Sequence, residues 1–242
     1  CPIRLYKFVK LERASNNSLK KIIKHIIINA HLLDKNLIWL HFGYATMGIN
    51  RENVAKAIGA RSSVSFRGYD IYLYPHKHPG CYTLLWNTID KIHTISESLY
   101  KEALFLGLNQ NVPQEIIRPA VDTRKFLSQK FRALHSPIRL LTIGRFSWIK
   151  GYEYGLRSLA MLKNNGVNFE YRIIGEGDYQ EAILYAIHQL ALTNEVSIMG
   201  KLTHEDVAKQ MDWADLYLQT SINEGFCNAV VEAQAMGLLC IA

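Results

Sequence analysis

The chain has 242 residues, of which 49% are hydrophobic and 20% charged, and these proportions are ordinary for a globular protein and exclude a largely disordered one. A formal net charge of +7 favours anionic partners, which include nucleic acid, acidic lipid and phosphorylated small molecules. Its four cysteines form no C-x-x-C pair, so we expect neither a zinc nor a redox motif and place the protein in a reducing compartment.

Hydrophobic spacing in the first half predicts alternating helices and strands. Residues 19–33 repeat apolar side chains at helical spacing and place Lys20, Lys21 and Lys24 on the opposite side. That basic side is interpreted as a solvated face, with contact to an anionic membrane as the alternative. Further helices are predicted at 49–58 and at 97–106, the latter capped by Ser96, and strands at 37–42, 63–66, 90–95 and 115–117.

The second half repeats this pattern after a polar, basic stretch at 122–137, which we interpret as a linker. Strands are predicted at 139–143, 171–174, 196–199, 216–219 and 239–241, and helices at 152–164, 179–191 and 205–213. Repeated βα units imply parallel sheets covered by helices on both faces. The sequence therefore predicts an α/β fold with two Rossmann-like domains, residues 1–133 and 134–242, facing a cleft.

The last stretch, residues 221–242, contains two carboxylates eight positions apart, Glu224 and Glu232. Its pattern predicts a loop that runs into a helix, with Asn228 as the N-terminal cap and Gly237 as the stop. The free amides and the dipole at such a helix start form an anion site. Glu224 is expected just outside this helix and Glu232 one turn inside it.

A basic loop, GRFSWIKG at 144–151, lies between a predicted strand and a helix. Arg145 and Lys150 are therefore expected at the carboxyl edge of the sheet, where open α/β sheets bind ligands. An Arg fork together with a mobile Lys charge suits a diphosphate, and two solvated surface cations are the alternative. Gly175 and Gly200 follow the next two strands, and Gly200 would let a nucleotide base approach the backbone.

These segments, GRFSWIKG, IIGEGD, SIMGKL and SINEGFCNAVVEAQAMGLLCIA, resemble in order and spacing the donor domain of family 4 glycosyltransferases, which have the GT-B fold. The first half is similar to the acceptor domain of that family through HFG at 41–43, SFRGYDI at 65–71, HTISESLYK at 93–101 and RPAVDTRKF at 118–126. Family members transfer a sugar from a nucleoside diphosphate sugar to an acceptor hydroxyl with retention of configuration, and usually without a bound metal. The resemblance therefore implies a retaining hexosyltransferase with no metal and no cofactor beyond its UDP- or GDP-type donor.

The resemblance also assigns roles to residues. It makes Arg145 and Lys150 catalytic, together with Glu224, which would hold sugar hydroxyls. Glu232 would accept the ribose hydroxyls. The remaining expected donor-binding residues are Gly144, Gly175, Gly200, Lys201, Leu202, Gly225, Phe226, Cys227, Asn228 and Ala229. Residues on the sugar or acceptor side are His41, Arg67, Asp70 and Ser96.

Departures from the family pattern leave other functions open. Arg67 stands where the family has a histidine that contacts the donor sugar, and segments that begin and end family members are not found, so we expect an incomplete chain. Alternatives are a non-hydrolysing nucleotide-sugar epimerase and a binding module without turnover. Nucleic-acid binding rests on charge alone and is not expected. SFRGYD and the basic charge favour bacterial surface polysaccharide synthesis, with a glycan or lipid-linked acceptor and a cytoplasmic enzyme peripheral to the inner membrane face.

Overall fold

The computed structural model describes residues 2–126 and 134–242. Its contacts divide the chain into two units, Cys1–Pro119 and Ala120–Ala242. The division therefore falls 14 residues before the boundary predicted between residues 133 and 134. Packing explains the difference, because Phe126 is buried in the core of the second unit and Val121 packs against the same cluster. The rest of the predicted linker, residues 127–133, lies outside the described residues.

Unit 1 contains four short parallel strands and a set of mostly short helices. In chain order they are α1 (Pro2–Ala14), α2 (Leu19–Leu33), β1 (Trp39–Phe42), α3 (Ala45–Gly48), α4 (Val54–Ile58), β2 (Arg61–Phe66), α5 (Tyr69–Tyr72), α6 (Tyr74–Lys77), α7 (Thr83–Trp86), β3 (Lys91–Thr94), α8 (Glu97–Phe105) and β4 (Gln114–Ile116). The four predicted strands are confirmed to within two residues. The predicted helix at 49–58 is wrong in its first half, because Asn50 has a φ of 64° and helix α4 begins only at Val54.

The sheet of unit 1 has the strand order β1-β2-β3-β4, with all neighbours parallel. Side chains alternate between its two faces. One face is apolar and buried, and includes Phe42, Val64, Phe66 and Ile92. The opposite face carries polar residues, many of them exposed or half-buried, so the expected covering of both faces is not found among the described residues of this unit.

Helix α2 has the predicted bounds, but a different face is buried. His25 and Asn29 are buried, whereas Leu19, Ile23 and Ile27 are exposed. The reason is a polar cluster beneath the helix, in which the carboxylate of buried Glu12 in α1 lies 2.8 Å from His25 Nδ1. This contact compensates the two side chains for the loss of water on burial.

Of the helices within residues 2–126 and 134–242, none is long and apolar enough to cross a membrane.

Unit 2 alternates strands and helices regularly. It contains β5 (Ile138–Ile143), a 3-10 turn (Trp148–Lys150), α9 (Tyr152–Asn164), β6 (Phe169–Ile174), α10 (Gln180–Gln189), β7 (Val196–Gly200), α11 (His204–Trp213), β8 (Leu216–Leu218), α12 (Asn228–Ala235) and β9 (Leu239–Ile241). Every strand and helix predicted here is confirmed to within two residues at each end. The sheet order is β7-β6-β5-β8-β9, and all neighbours are parallel.

Helices pack on both faces of this second sheet, as predicted. Leu140 and Leu141 are neighbours on β5 and enter two different core clusters, because successive strand residues point to opposite faces. Helices α9 and α10 contribute to one cluster, and α11 and α12 to the other. The chain order reverses at β5, where β6 lies on one side and β8 on the other, and this is the place where open α/β sheets bind ligands.

Candidate functional site

Three loops leave the carboxyl ends of adjacent strands in unit 2. They are the basic loop after β5 (residues 144–151), the loop after β6 (residues 175–178) and the loop after β8 (residues 219–227). Because β6, β5 and β8 are consecutive in the sheet, these loops lie side by side although they are far apart in sequence.

The first two loops are in close backbone contact. Phe146 N donates to Glu176 O at 2.8 Å, and Gly144 N donates to Ile174 O at 2.9 Å. Gly175 has a φ of 153°, and a Cβ atom there would lie 1.9 Å from the Gly144 carbonyl oxygen. A side chain at position 175 would therefore push the basic loop away, so this glycine is needed for the close approach.

Lys150 and Glu224 form the centre of the site. Lys150 Nζ donates to Glu224 Oε1, and the same oxygen accepts from Ser221 Oγ at 2.7 Å. Their side chains are only 19% and 27% exposed, so the pair is largely shielded from water. The basic loop is held to the third loop by Ile222 N, which donates to Ile149 O at 2.8 Å. The structure thus brings together two of the three predicted catalytic residues.

Arg145, the third of them, has an exposed side chain with no ion pair or hydrogen bond to any described residue. It lines an open pocket of about 970 Å³ together with Trp148, Gly175, Asp178 and Lys201. Gly144 directly precedes Arg145, and its carbonyl accepts a hydrogen bond from Tyr152 Oη at 2.8 Å. Sequence reasoning missed Trp148 and Asp178, although both lie within the segments that it selected.

The start of helix α12 differs from the prediction. The helix begins at Asn228, and Cys227 occupies the cap position without a side-chain hydrogen bond. The prediction of Asn228 as the cap is therefore wrong by one residue. Burial raises the pKa of the Cys227 thiol, although the amides of Val230 and Ala229 act to lower it. These two amides therefore lie next to the Cys227 thiol at the start of the helix.

A second pocket, of about 490 Å³, lies at this helix start. Glu224, Phe226 and Cys227 line it, with Val230 from the first turn of α12. Gly225 lies between Glu224 and Phe226 and is half-buried. Gly237, the predicted stop, follows the helix with a φ of 73°, which confirms that prediction.

Glu232 lies one turn inside α12, as predicted from the sequence. Its carboxylate is half-buried and accepts no hydrogen bond from the described part of the chain. Burial raises the pKa of Glu232, and the nearby charge of His204 acts to lower it. An accessible carboxylate without a protein donor is free to accept hydrogen bonds from a ligand.

The loop after β7 contains the remaining predicted donor-binding residues. Gly200 has a φ of 69°, and open space lies where its Cβ would be. Its carbonyl accepts from Gly175 N at 2.9 Å. Lys201 pairs with Glu176 at 2.6 Å on the surface, whereas Leu202 packs against the core. Gly200 and Lys201 are therefore accessible from the loops described above, and Leu202 contributes packing.

The predicted acceptor-side residue His41 belongs to a chain of hydrogen bonds on the polar face of unit 1. His93 Nε2 contacts the Ile117 carbonyl at 3.2 Å and must donate to it, because a carbonyl has no proton. In neutral His93, Nδ1 then accepts from Ser65 Oγ at 2.8 Å, and Ser65 in turn accepts from His41 Nε2 at 3.0 Å. With that arrangement, His41 Nδ1 is left to accept from Ser63 Oγ at 2.7 Å.

Partial burial lowers the pKa of His41, and the charges of His93 and Arg67 act in the same direction. Arg67 itself is exposed, donates from Nε to the Gly43 carbonyl at 3.2 Å and lies over the Tyr44 ring. His41 and Arg67 therefore share the carboxyl ends of strands β1 and β2.

Asp70 and Ser96 are engaged within the protein. The Asp70 carboxylate is fully buried and accepts from the amides of Ala45, Arg67 and Gly68, each at 3.0 Å. It stabilises the loop after β2 and, because it is fully buried, is not available as a contact for sugar or acceptor. Ser96 caps α8 by accepting from Leu99 N, which confirms its predicted structural role.

A metal site is not apparent in the described ranges, where no three His, Cys, Asp or Glu side chains are grouped closely enough to bind an ion.

Two Rossmann-like units, each with a parallel sheet, and the match to solved structures define the GT-B class of glycosyltransferase fold. Residues 123–242, about half of the chain, match the family described as glycosyl transferases group 1.

Curated relatives extend the similarity into the first half. The chain is 29% identical over 216 residues to AmsK of Erwinia amylovora, an amylovoran biosynthesis glycosyltransferase. This alignment covers 84% of this chain and 52% of AmsK. It is 28% identical over 212 residues to WcaL of Escherichia coli strain K12, a putative colanic acid biosynthesis glycosyltransferase. That alignment covers 82% of this chain and 50% of WcaL. The chain thus spans about half the length of these relatives.

Solved structures support the fold. HepE of Anabaena, in complex with UDP and glucose, superposes with a TM-score of 0.71 at 16% identity, covering 91% of this chain and 62% of HepE. The lipopolysaccharide outer core galactosyltransferase WaaB, in its apo form, gives a TM-score of 0.65 at 18% identity, covering 90% of this chain and 60% of WaaB.

Proposed function

We propose that the protein is a retaining, metal-independent hexosyltransferase that moves a sugar from a nucleoside diphosphate sugar to an acceptor hydroxyl. The observation that carries this proposal is the contact between Lys150 and Glu224, which joins a cation suited to phosphate with a carboxylate suited to sugar hydroxyls. Arg145 adds a second cation, and it has no protein partner among the described residues. The family and the HepE complex with UDP and glucose support the donor class.

The proposed mechanism depends on stabilising the leaving diphosphate. As the bond between the anomeric carbon and the phosphate oxygen breaks, negative charge accumulates on the diphosphate. Arg145, Lys150 and the amides at the start of α12 would neutralise that charge. These groups supply the electrostatic stabilisation that a bound metal supplies in other transferases, and this supports metal independence.

The two glutamates would bind hydroxyl groups at either end of the diphosphate. Glu224 would accept from the sugar and Glu232 from the ribose. The acceptor oxygen would attack the anomeric carbon on the face that the diphosphate leaves, and the acceptor proton would pass to a leaving phosphate oxygen. Configuration is thereby retained without a covalent glycosyl carboxylate.

Relatives named for amylovoran and colanic acid biosynthesis support a role in bacterial surface polysaccharide synthesis. The acceptor would then be a glycan or a lipid-linked sugar, and the protein would work in the cytoplasm at the inner face of the membrane. Helix α2 supports membrane contact, because Leu19, Ile23 and Ile27 are spaced four residues apart on its exposed side and are 50–71% exposed. Lys20 and Lys24 flank this row.

Charge reversal on α2 tests the membrane proposal. Polybasic segments contribute about 1 kcal/mol per Lys at an anionic surface, so the double variant Lys20→Glu, Lys24→Glu should bind phosphatidylglycerol vesicles at least tenfold more weakly. Vesicle flotation at physiological salt measures this, and Lys209→Glu, which alters an exposed lysine in unit 2, is the matched control. Equal binding of wild type to purely phosphatidylcholine vesicles would refute an anionic surface as the partner.

The proposed reaction is tested with a panel of UDP-glucose, UDP-galactose, UDP-N-acetylglucosamine and GDP-mannose. We expect one donor to bind tightly and to release its nucleoside diphosphate when an extract of lipid-linked oligosaccharide is added. Each donor is also incubated alone. Conversion to an epimerised sugar would indicate an epimerase instead, and binding without release under any condition would indicate a module without turnover.

A further inference from the structure

The side chain of Gln219 connects the core of unit 2 to Glu224. Gln219 follows β8 directly and is 7% exposed, and its backbone N donates to Ile241 O at 2.8 Å, which ties it to β9. Its side-chain Nε2 donates to Ser221 Oγ and lies 3.3 Å from Glu224 Oε1. An amide placed in this way can act on the carboxylate directly and through Ser221.

Its neighbours fix the orientation of this amide. Reversal would place the Gln219 carbonyl oxygen against the Glu224 carboxylate, where two acceptors repel. In the observed orientation, Gln219 Oε1 accepts from the hydroxyl of fully buried Tyr217 at 3.0 Å. Burial raises the pKa of Tyr217 well above its ordinary value, so the phenol keeps the proton that it donates. The same hydroxyl also donates to the Ile143 carbonyl at 3.1 Å, and its oxygen accepts from Ile143 N at 3.3 Å.

All hydrogen bonds to Glu224 from the described residues reach the same oxygen. Oε1 accepts from Lys150, from Ser221 and from Gln219. Oε2 accepts none within the described part of the chain. A carboxylate held through one oxygen has a defined direction, and its other oxygen stays available to a ligand that donates.

We propose that Gln219 is a positioning residue that, directly and through Ser221, holds Glu224 by Oε1 and leaves Oε2 for the hydroxyls of the donor sugar. This inference rests on the proposed function, since it assumes that Glu224 binds the sugar of a nucleoside diphosphate sugar. Gln219 itself contacts neither the sugar nor the reacting atoms.

Without the amide, Glu224 would be free to rotate and to share both oxygens with Lys150. The carboxylate would then turn away from the sugar while the nucleotide contacts stay intact. Loss of Gln219 should therefore weaken binding of the nucleotide sugar and leave binding of the free nucleotide unchanged. A purely structural role would affect both ligands.

Gln219→Met removes the amide at nearly constant volume. Binding is measured by calorimetry with UDP and UDP-glucose, and then with the other pairs of free nucleotide and nucleotide sugar in the donor panel. For the nucleotide sugar that wild type prefers, the Kd should rise roughly tenfold. The Kd for the matching free nucleotide should change less than twofold. Ser221→Ala, a smaller change in the loop, should raise the Kd for the nucleotide sugar several-fold. It provides the test if Gln219→Met does not fold.

A double-mutant cycle shows whether Gln219 acts through Glu224. In a Glu224→Gln background, Gln219→Met should have no further effect on binding of the nucleotide sugar, because the group that it positions has gone. Additive losses would overturn the inference, as would an unchanged Kd for the nucleotide sugar in both single variants. If wild type binds none of the nucleotide sugars, the proposed function itself fails and this inference falls with it, which is a separate and recognisable result.

Discussion

Replacing Lys150 by alanine should slow sugar transfer by about 10- to 150-fold, the equivalent of the ~1.5 to 3 kcal/mol that a charge-assisted hydrogen bond contributes. Lys150 lies at the carboxyl edge of the sheet in contact with Glu224, and its side chain is 19% exposed. An amine so shielded from water interacts more strongly with a developing phosphate charge than a solvated one does. The loss should appear in the rate of transfer and, more weakly, in the Kd for the nucleoside diphosphate.

Two effects contribute to this loss, and they can be separated. The variant lacks a cation, and it also leaves the Glu224 carboxylate unpaired beside the expected phosphate position. The double variant Lys150→Ala, Glu224→Gln removes that negative charge. If unpaired Glu224 repels the diphosphate, nucleotide binding should recover in the double variant, whereas transfer should stay slow.

Lys209→Ala is the matched control, because it breaks a surface lysine pair with Asp206 and leaves the three loops of the site untouched. Its transfer rate should equal that of wild type. A Lys150→Ala variant with unchanged turnover would remove Lys150 from the mechanism and would leave Arg145 and the helix amides as the only groups proposed to bind the diphosphate.

Sequence reasoning located the elements of unit 2 well, because its strands are short segments rich in apolar residues and most of its helices are long enough to show their period. It predicted less of unit 1, where α5, α6 and α7 are only four residues each and too short for a period to appear. Helix α2 had a clear period, but hydrophobicity indicated the wrong face. Glu12 reaches His25 from the preceding helix, and such a contact is not visible in the pattern of either helix.

The residues of the candidate site in unit 2 could be selected from the sequence, but the contacts between them could not. Lys150 and Glu224 are 74 positions apart and meet because β8 pairs with β5, and strand order cannot be deduced from periodicity. In unit 1, the register of β1, β2 and β3 places His41 opposite Ser63 and His93 opposite Ser65. The family resemblance suggested that Asp70 contacts the sugar or the acceptor, whereas its buried carboxylate accepts from three backbone amides.

Replacing Glu232 by alanine should weaken binding of free nucleoside diphosphate by tenfold or more, because a carboxylate that accepts two ribose hydroxyls makes two charge-assisted hydrogen bonds. The half-buried position of Glu232 and its lack of a donor among the described residues support this role. Glu224→Ala should behave differently, with nearly normal binding of free nucleotide and a large loss of transfer. Titration of UDP and GDP into both variants distinguishes the two glutamates, and equal weakening by both would contradict the separate roles.

The pH dependence of binding gives an independent test of Glu232. Burial raises its pKa, so this carboxylate protonates at a higher pH than an ordinary glutamate. Only the ionised form accepts hydrogen bonds through both oxygens, so affinity for free nucleotide should be fully present above the raised pKa and should fall as the pH is lowered through it. The phosphates of the nucleotide also titrate, and Glu232→Gln corrects for them because it lacks the carboxylate and keeps the size. The acid-side loss of affinity should therefore be smaller in Glu232→Gln than in wild type, and identical pH profiles would show that the nucleotide does not contact Glu232.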